Sequence, residues 1–192
     1  MHASRRSAAN FNHSFLAATW VIAAVIRKNL KLSSLGDAMP NPDTLQTGNA
    51  KTIKKLFSRQ TSVAIDIAAS PETIWKLLTN AETFSSWNST IVELSGKIAA
   101  GEKIVLRSIL APDRKFKLKI KDFEPHTRLT WGDAMGTRTF ILSPKSNGVT
   151  RFSMSETIGG PIFPLFAKMI PPFDDSFNQF AADLKKATEE ST

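Results

Sequence analysis

In the stretch RKFKLKIKDF, residues 114–123, lysines alternate with apolar residues from position 115 to position 121. Phe116, Leu118 and Ile120 point to one face of an extended chain, and the lysines between them point to the other. A strand with this pattern packs one face on a core and shows the other to water, as strands of antiparallel sheets do. The stretch therefore predicts an antiparallel sheet whose apolar face needs a covering layer.

A helix near the end of the chain supplies that layer. Phe173, Phe177, Phe180, Ala181 and Leu184 recur at helical spacing and share one face. Acidic residues stand at the start of this segment and lysines near its end, which matches the helix macrodipole. No other helical pattern in the sequence is long enough to cover a sheet, so this helix is predicted to lie across the apolar face.

The remaining patterns predict one strand before two short helices and further strands after them. Residues 62–67 alternate as a strand, and Ser70, Pro71 and Glu72 then suit an N-cap, a first helical position and a first turn. The second short helix is expected to end at Trp87. Five more strands are expected at residues 91–94, 103–109, 128–131, 136–142 and 149–158. The sequence thus predicts an α+β fold with seven strands.

The composition is that of a globular protein and excludes several kinds of site. Of 192 residues, 42% are apolar and 22% are charged. The chain has no cysteine, which excludes disulfides, thiolate metal sites and a cysteine nucleophile. The histidines, His2, His13 and His126, form no metal-binding pattern, and no serine–histidine–aspartate set or glycine-rich phosphate loop is recognisable. We therefore expect no metal, no cofactor and no catalytic motif.

The net charge of +8 is concentrated at the front of the chain. Residues 1–60 contain nine basic and two acidic residues, whereas residues 61–192 contain sixteen and fifteen. A domain that binds nucleic acid usually carries its own basic surface. The nearly neutral body therefore argues against a nucleic-acid partner.

Residues 1–60 differ from the rest in more than charge. The apolar run FLAATWVIAAVI, residues 15–26, is short for a transmembrane helix, which needs about 17–25 residues. Cations directly after the run, and the lack of a small-residue cleavage site, argue against a secretory signal. The favoured interpretation is a poorly ordered basic extension over residues 1–60, then one folded domain over residues 61–192 in the cytoplasm. Export, or membrane contact through residues 1–32, is the alternative.

Several short motifs occur in an order that resembles a known superfamily. They are IAASPETIW (67–75), WN (87–88), FEP (123–125), TRFSMSETIGG (150–160) and FAADLKKATE (180–189). Their order and spacing resemble the START-like helix-grip superfamily (SRPBCC), the polyketide cyclase/dehydrase and lipid-transport group. The resemblance implies a curved seven-stranded antiparallel sheet that grips a long C-terminal helix, with an elongated cavity for an apolar ligand between them. It implies no shared catalytic signature.

Two ionisable residues share the predicted inward face. Arg138 has the same strand parity as Phe140, and Glu156 has the same parity as Phe152. A hairpin register that pairs Phe140 with Phe152 would place Arg138 diagonally across from Glu156, within reach of its side chain. Because an ion in an apolar interior needs a partner, the two form either a structural salt bridge or contacts to a ligand.

The resulting hypothesis is a protein that binds or transports a hydrophobic small molecule, lipid- or polyketide-like, and returns it unchanged. One alternative is a cyclase or dehydratase in which Arg138 or Glu156 acts on a carbonyl of a polyketide-like or aromatic substrate, and another is an interaction module of the same fold. The lysines of residues 115–121 are attributed to a solvated sheet face, with phosphate or acidic lipid as the other option. The candidate ligand-binding residues are Trp87, Phe116, Leu118, Trp131, Arg138, Phe140, Phe152, Glu156, Phe177 and Phe180.

Overall fold

The computed structural model describes residues 48–190. This part of the chain contains eight strands: β1 Lys51–Lys54, β2 Ser58–Ile67, β3 Ile91–Ser95, β4 Lys103–Ser108, β5 Ala111–Glu124, β6 Arg128–Gly132, β7 Gly136–Pro144 and β8 Thr150–Gly159. Its helices are α1 Pro71–Thr79, α2 Phe84–Trp87, α3 Phe163–Phe166, a 3-10 helix Ala167–Met169 and α4 Asp174–Glu189. None of these helices is long and apolar enough to cross a bilayer.

All eight strands form one antiparallel sheet in the order β1-β2-β8-β7-β6-β5-β4-β3. The pairings of β3 with β4, of β4 with β5 and of β5 with β6 each contain a shift of register. Such bulges bend a sheet. The helix α4 packs chiefly against β2 and also meets α1 and α2. The side of the sheet that faces α4 is called the inner face below. The predicted α+β helix-grip fold is confirmed, with eight strands instead of seven.

The additional strand lies in a segment that the sequence pattern assigned to the extension. β1 pairs with the start of β2, from Lys51 opposite Ser62 to Lys54 opposite Arg59, so the sheet begins before Thr61. The side chains of β1 are mostly exposed, and lysines at an exposed sheet edge discourage pairing with another chain. Backbone hydrogen bonds rather than burial define such a strand, so its hydropathy does not reveal it. The apolar run of residues 15–26 lies outside the described residues.

The predicted local signals for the helices act as expected. The Ser70 hydroxyl accepts a hydrogen bond from the backbone N–H of Thr73 at 3.2 Å and caps α1. Asp174 and Asp175 occupy the first turn of α4. The apolar face of α4 is buried against the sheet through Phe177, Phe180, Ala181 and Leu184. The lysines of residues 115–121 are exposed on the outer face of β5, as the alternation predicts.

Candidate functional site

A mixed row of side chains crosses the inner face of the sheet. The strand registers place Ile120, Trp131, Arg138, Glu156 and Thr61 side by side on β5, β6, β7, β8 and β2. The next row on one side is entirely apolar, with Leu129, Phe140, Met154 and Val63. The inner face thus changes from apolar to partly charged along the strands, which suits a ligand with an apolar body and a polar end.

Arg138 and Glu156 form an ion pair on this inner face. The Arg138 Nε donates a hydrogen bond to Oε2 of Glu156 at 2.7 Å, and Nη2 donates to the same oxygen. The Arg138 guanidinium also lies 5.1 Å from the ring centre of Phe177 on α4. The two side chains keep 18% and 16% of their surface exposed, so the pair lies between a buried and a surface position.

The hairpin register differs from the expected one. Phe140 pairs with Met154 rather than Phe152, and Arg138 lies directly opposite Glu156 rather than diagonally. The reason is the turn, which is centred on Asn147 because the backbone N–H of Lys145 bonds to the carbonyl of Val149 at 2.8 Å. Asn147, with φ of 61°, and the following glycine take left-handed conformations that this turn requires.

Arg59 extends the charged region and was missed in the sequence. Its side chain is buried, and its guanidinium donates to the carbonyls of Ile170 at 3.1 Å and Pro171 at 2.6 Å. It lies 4.7 Å from the ring centre of Phe173. Burial lowers the pKa of Arg59, and the charges of Glu156 and Asp174 oppose that shift. The available signal was strand parity, since Arg59 continues the inward alternation two residues before Thr61.

Asp174 connects the start of α4 to the same region. The Thr52 hydroxyl donates to its carboxylate at 2.9 and 3.1 Å, and the Thr61 hydroxyl lies 2.8 Å from that of Thr52. Because the proton of Thr52 is used on Asp174, Thr61 donates to Thr52. Two guanidinium groups and two carboxylates therefore meet where β2, β7 and β8 approach α4, and their formal charges balance.

An aromatic cluster fills the apolar part of the inner face. Phe180 of α4 stacks on Phe140 at 5.7 Å and on Phe152 at 6.3 Å between ring centres. Trp131 meets Phe140 edge-on at 4.7 Å. These four side chains and Phe177 are almost completely buried. Five of the candidate residues thus pack directly between sheet and helix, where they form a rigid apolar wall.

The other apolar candidates are only half-buried. Phe116 and Leu118 lie on β5 beyond the end of β6, whose last pair joins Gly132 to Lys119. The Arg114 guanidinium lies 4.6 Å from the ring centre of Phe116, and burial lowers the pKa of Arg114. Within residues 48–190, no strand pairs with this part of β5 on the β6 side. Apolar side chains of the inner face therefore keep surface that a ligand can cover.

Trp87 carries a buried donor that no described residue satisfies. Its ring lies 4.6 Å from Phe84 and 5.7 Å from Phe180, and its Nε1 is buried without a hydrogen-bond acceptor in the described part of the chain. The neighbouring Asn88 also has an unpaired donor. Its Oδ1 accepts hydrogen bonds from Thr90, whereas its buried Nδ2 has no acceptor among residues 48–190. Leaving a buried donor unpaired costs about 1–3 kcal/mol. An oxygen atom of a ligand would recover that energy.

Neither the described histidine nor a metal-binding cluster of the described residues lies at the ion pair. His126 sits in the β5–β6 turn with φ of 60° and packs its ring against Trp75 at 6.2 Å, so it does not face the ion pair. Between residues 48 and 190 no three His, Asp or Glu side chains lie close enough to hold a metal ion. The inward carboxylate of Glu156 accepts both hydrogen bonds from Arg138 on its Oε2.

A sheet that grips a C-terminal helix, with an amphipathic inner face, defines the helix-grip class of ligand-binding proteins. A sequence profile of the family described as "Polyketide cyclase / dehydrase and lipid transport" matches residues 58–189. The chain belongs to this family, which confirms the resemblance seen in the short motifs. Among curated proteins, none matches the sequence.

Several solved structures are similar in fold. A START superfamily protein from Mycobacterium smegmatis is 17% identical, with a TM-score of 0.52 over 69% of this chain and 99% of that one. A conserved protein of unknown function from Enterococcus faecalis is 18% identical, with a TM-score of 0.54 over 72% and 75% of the two chains. Norcoclaurine synthase from Thalictrum flavum, a point mutant in complex with a transition-state analogue, is 13% identical, with a TM-score of 0.54 over 73% and 98%. At these identities the likeness concerns the fold alone.

Proposed function

We propose that this protein binds and carries a hydrophobic small molecule with one polar end, of lipid or polyketide type, between the sheet and α4. The observation that carries the proposal is the gradient along the inner face. A packed aromatic wall lies next to the row that contains Arg138 and Glu156, and the half-buried Leu118 and Phe116 lie on β5 just before Ile120, which belongs to the same row. Fixed apolar surface next to a few polar groups is the usual composition of a small-molecule site.

Two polar side chains of the site provide hydrogen-bond donors for the oxygen atoms of such a ligand. Only Nε and Nη2 of Arg138 bind Glu156 in the described part of the chain, so Nη1 retains donors for a carbonyl or carboxylate oxygen. The Trp87 Nε1 provides a second donor, which is buried against the aromatic wall. The apolar body of the ligand would then lie along Phe116 and Leu118. The other candidates, Trp131, Phe140, Phe152, Phe177 and Phe180, would act as the wall behind it.

A second candidate function is a cyclase or dehydratase that uses the same residues. The inward position of Glu156 next to Arg138 favours it, because a guanidinium polarises a carbonyl while a carboxylate takes the neighbouring proton. The family description includes both activities. In this case the ligand would be a substrate and would leave chemically changed.

Native mass spectrometry separates these functions. The purified full chain is incubated with a lipid extract, and bound molecules are identified before and after prolonged incubation. A carrier retains an apolar compound of unchanged mass, whereas an enzyme yields a product that differs by the atoms gained or lost. The matched variants are Trp87→Phe, which should reduce binding, and Lys117→Ala on the outer face, which should not. Absence of any bound compound, or equal losses in both variants, would contradict the proposal.

A further inference from the structure

One corner of the molecule exposes large apolar side chains to an unusual degree. Leu56 and Phe57, in the turn between β1 and β2, are 73% and 54% exposed, and Leu165 of α3 is 82% exposed. Ile53 and Met169 are also exposed. Most of the surface of Leu56 and Leu165 is therefore in contact with water. Several protruding apolar groups in one place usually mark a site of interaction.

Backbone contacts hold these two segments together. The N–H of Gly160 donates to the carbonyl of Phe57 at 3.0 Å, at the start of the segment that leads to α4. Arg59 binds the carbonyls of Ile170 and Pro171 at its end. The approach is close, because a Cβ at Gly159 would lie 2.8 Å from the Phe57 carbonyl oxygen. Residues 51–59, which include the β1–β2 turn, and residues 159–173 therefore form one surface, which we call the tip surface.

The tip surface is basic as well as apolar. Residues 51–59 and 159–173 contain five Lys or Arg and no acidic residue. Lys51, Lys54, Lys55 and Lys168 are exposed among them. The acids that follow in the chain are Asp174, which accepts hydrogen bonds from Thr52, and the exposed Asp175. Exposed cationic residues thus occur in the same two segments as the exposed apolar residues.

We propose that the tip surface docks this protein on an anionic lipid membrane. Leucine, phenylalanine and methionine side chains enter the boundary between head groups and acyl chains, while lysines beside them bind the lipid phosphates. A stable protein partner would instead need a broad complementary surface of roughly 800 Å² per side. A few protruding side chains on two turns fit a fluid lipid surface better than such an interface. The docking itself does not depend on the proposed ligand, because it concerns other side chains.

The position of the tip surface connects it to the candidate site. Arg59 contacts Ile170 and Pro171 on one side and lies close enough to Glu156 for their charges to interact. Docking at the tip surface would therefore bring the charged end of the inner face toward the lipid. A membrane is also the place where a carrier of apolar molecules loads and unloads.

Vesicle flotation with the full chain tests the proposal. Vesicles of phosphatidylcholine alone are compared with vesicles that contain about 30% phosphatidylglycerol. On such an anionic surface, each lysine that contacts the membrane raises the partition coefficient of the protein about fivefold. We expect binding to the anionic vesicles only, and weaker binding at high salt. The double variant Lys54→Glu with Lys168→Glu should lower the partition coefficient by at least 25-fold on the same scale of about fivefold per Lys. The double variant Leu56→Ser with Leu165→Ser should also abolish flotation.

The matched control is Lys117→Glu with Lys119→Glu, which makes the same charge change on the outer face of β5. It should float like the wild type, and the melting temperature of each variant shows whether it is folded. Equal losses in the control would assign the binding to overall charge, and wild-type flotation of both tip variants would assign it to another segment, including residues 1–47. If light scattering showed that the wild type is a dimer and the Leu56→Ser, Leu165→Ser variant a monomer, the surface would be an interface between copies. Each of these results overturns the proposal.

Discussion

Removal of one charge from the Arg138–Glu156 pair distinguishes a structural ion pair from a ligand contact. Glu156 lies between two guanidinium groups, since Arg138 binds it directly and the charge of Arg59 interacts with it. Glu156→Leu leaves these two cations without that carboxylate. Breaking a fully buried pair costs about 3–5 kcal/mol and a surface pair under about 1, so a pair with 16–18% exposure should lose about 2–3 kcal/mol.

The other single variant, Arg138→Met, should lower the free energy of unfolding by a smaller amount. Arg138→Met leaves the Glu156 carboxylate near Arg59, which compensates part of its charge, so we expect a loss of about 1–2 kcal/mol in the free energy of unfolding. The double variant removes both charges and replaces them with apolar side chains beside Phe177. Its stability should return to within about 1 kcal/mol of the wild type, because no unpaired charge of the pair remains.

Two measurements on the four proteins complete the assay. Urea unfolding gives the stabilities, and displacement of an apolar fluorophore compares a long-chain carboxylate with a hydrocarbon of equal length. If Arg138 binds the polar end of a ligand, the double variant should lose at least about tenfold in affinity for the carboxylate, since a hydrogen bond to a charged group contributes about 1.5–3 kcal/mol. Its affinity for the hydrocarbon should remain unchanged.

Two results would refute this reasoning. Equal stability in all four proteins would mean that water screens the pair and that the inner face is not apolar around it. Equal affinity for the carboxylate in the wild type and the double variant would reduce the pair to a structural role. The proposed orientation of the ligand would then be wrong, although an apolar ligand elsewhere on the inner face would still be compatible with the measurement.

Three further predictions concern single substitutions. Phe177→Trp adds volume between α4 and the sheet, so fluorescence titration should show a lower capacity for an apolar probe, and an unchanged capacity would place the probe elsewhere. Trp87→Phe removes an unpaired buried donor, so the ligand-free protein should unfold at the same or higher urea concentration while carbonyl ligands bind more weakly. The hydrogen bond from Lys145 lowers the pKa of Asp66, so its stabilisation is present above the unfolded pKa of about 3.9 and is lost as pH falls through the lower folded value. Urea unfolding of Asp66→Asn should therefore show a deficit in the free energy of unfolding at neutral pH that shrinks as the pH falls through the unfolded and then the folded pKa of Asp66, and a deficit that does not change with pH would contradict it.

Local patterns determined most of the architecture. The alternation of residues 114–123 predicts β5, because side chains of a strand point to opposite faces in turn. The spacing of Phe177, Phe180 and Leu184 predicts the buried face of α4. The Ser70 cap predicts the start of α1. Each of these signals acts within a few residues, so it can be read without knowledge of the partners in space.

Strand β1 and the position of Arg59 depended on tertiary pairing. The side chains of β1 are exposed, so burial left no periodic trace, and only hydrogen bonds to β2 make it a strand. The predicted basic extension of residues 1–60 includes Arg59, and although strand parity continued back from Thr61 gives its face, it does not show that the guanidinium is buried against Ile170 and Pro171, more than a hundred residues later. Such contacts close long loops, and the sequence near Arg59 contains no record of them.

Parity alone placed Arg138 and Glu156 on the inner face, because side chains alternate in every strand regardless of register. Which residues face each other depended on the turn centred on Asn147, and its geometry moved the partner of Phe140 from Phe152 to Met154. The unpaired donor of Trp87 likewise exists only after α2, α4 and the sheet have met around its ring. Periodicity reports the face on which a side chain lies. The residue that a side chain contacts across the fold depends on turn geometry and packing, which involve residues far apart in the chain.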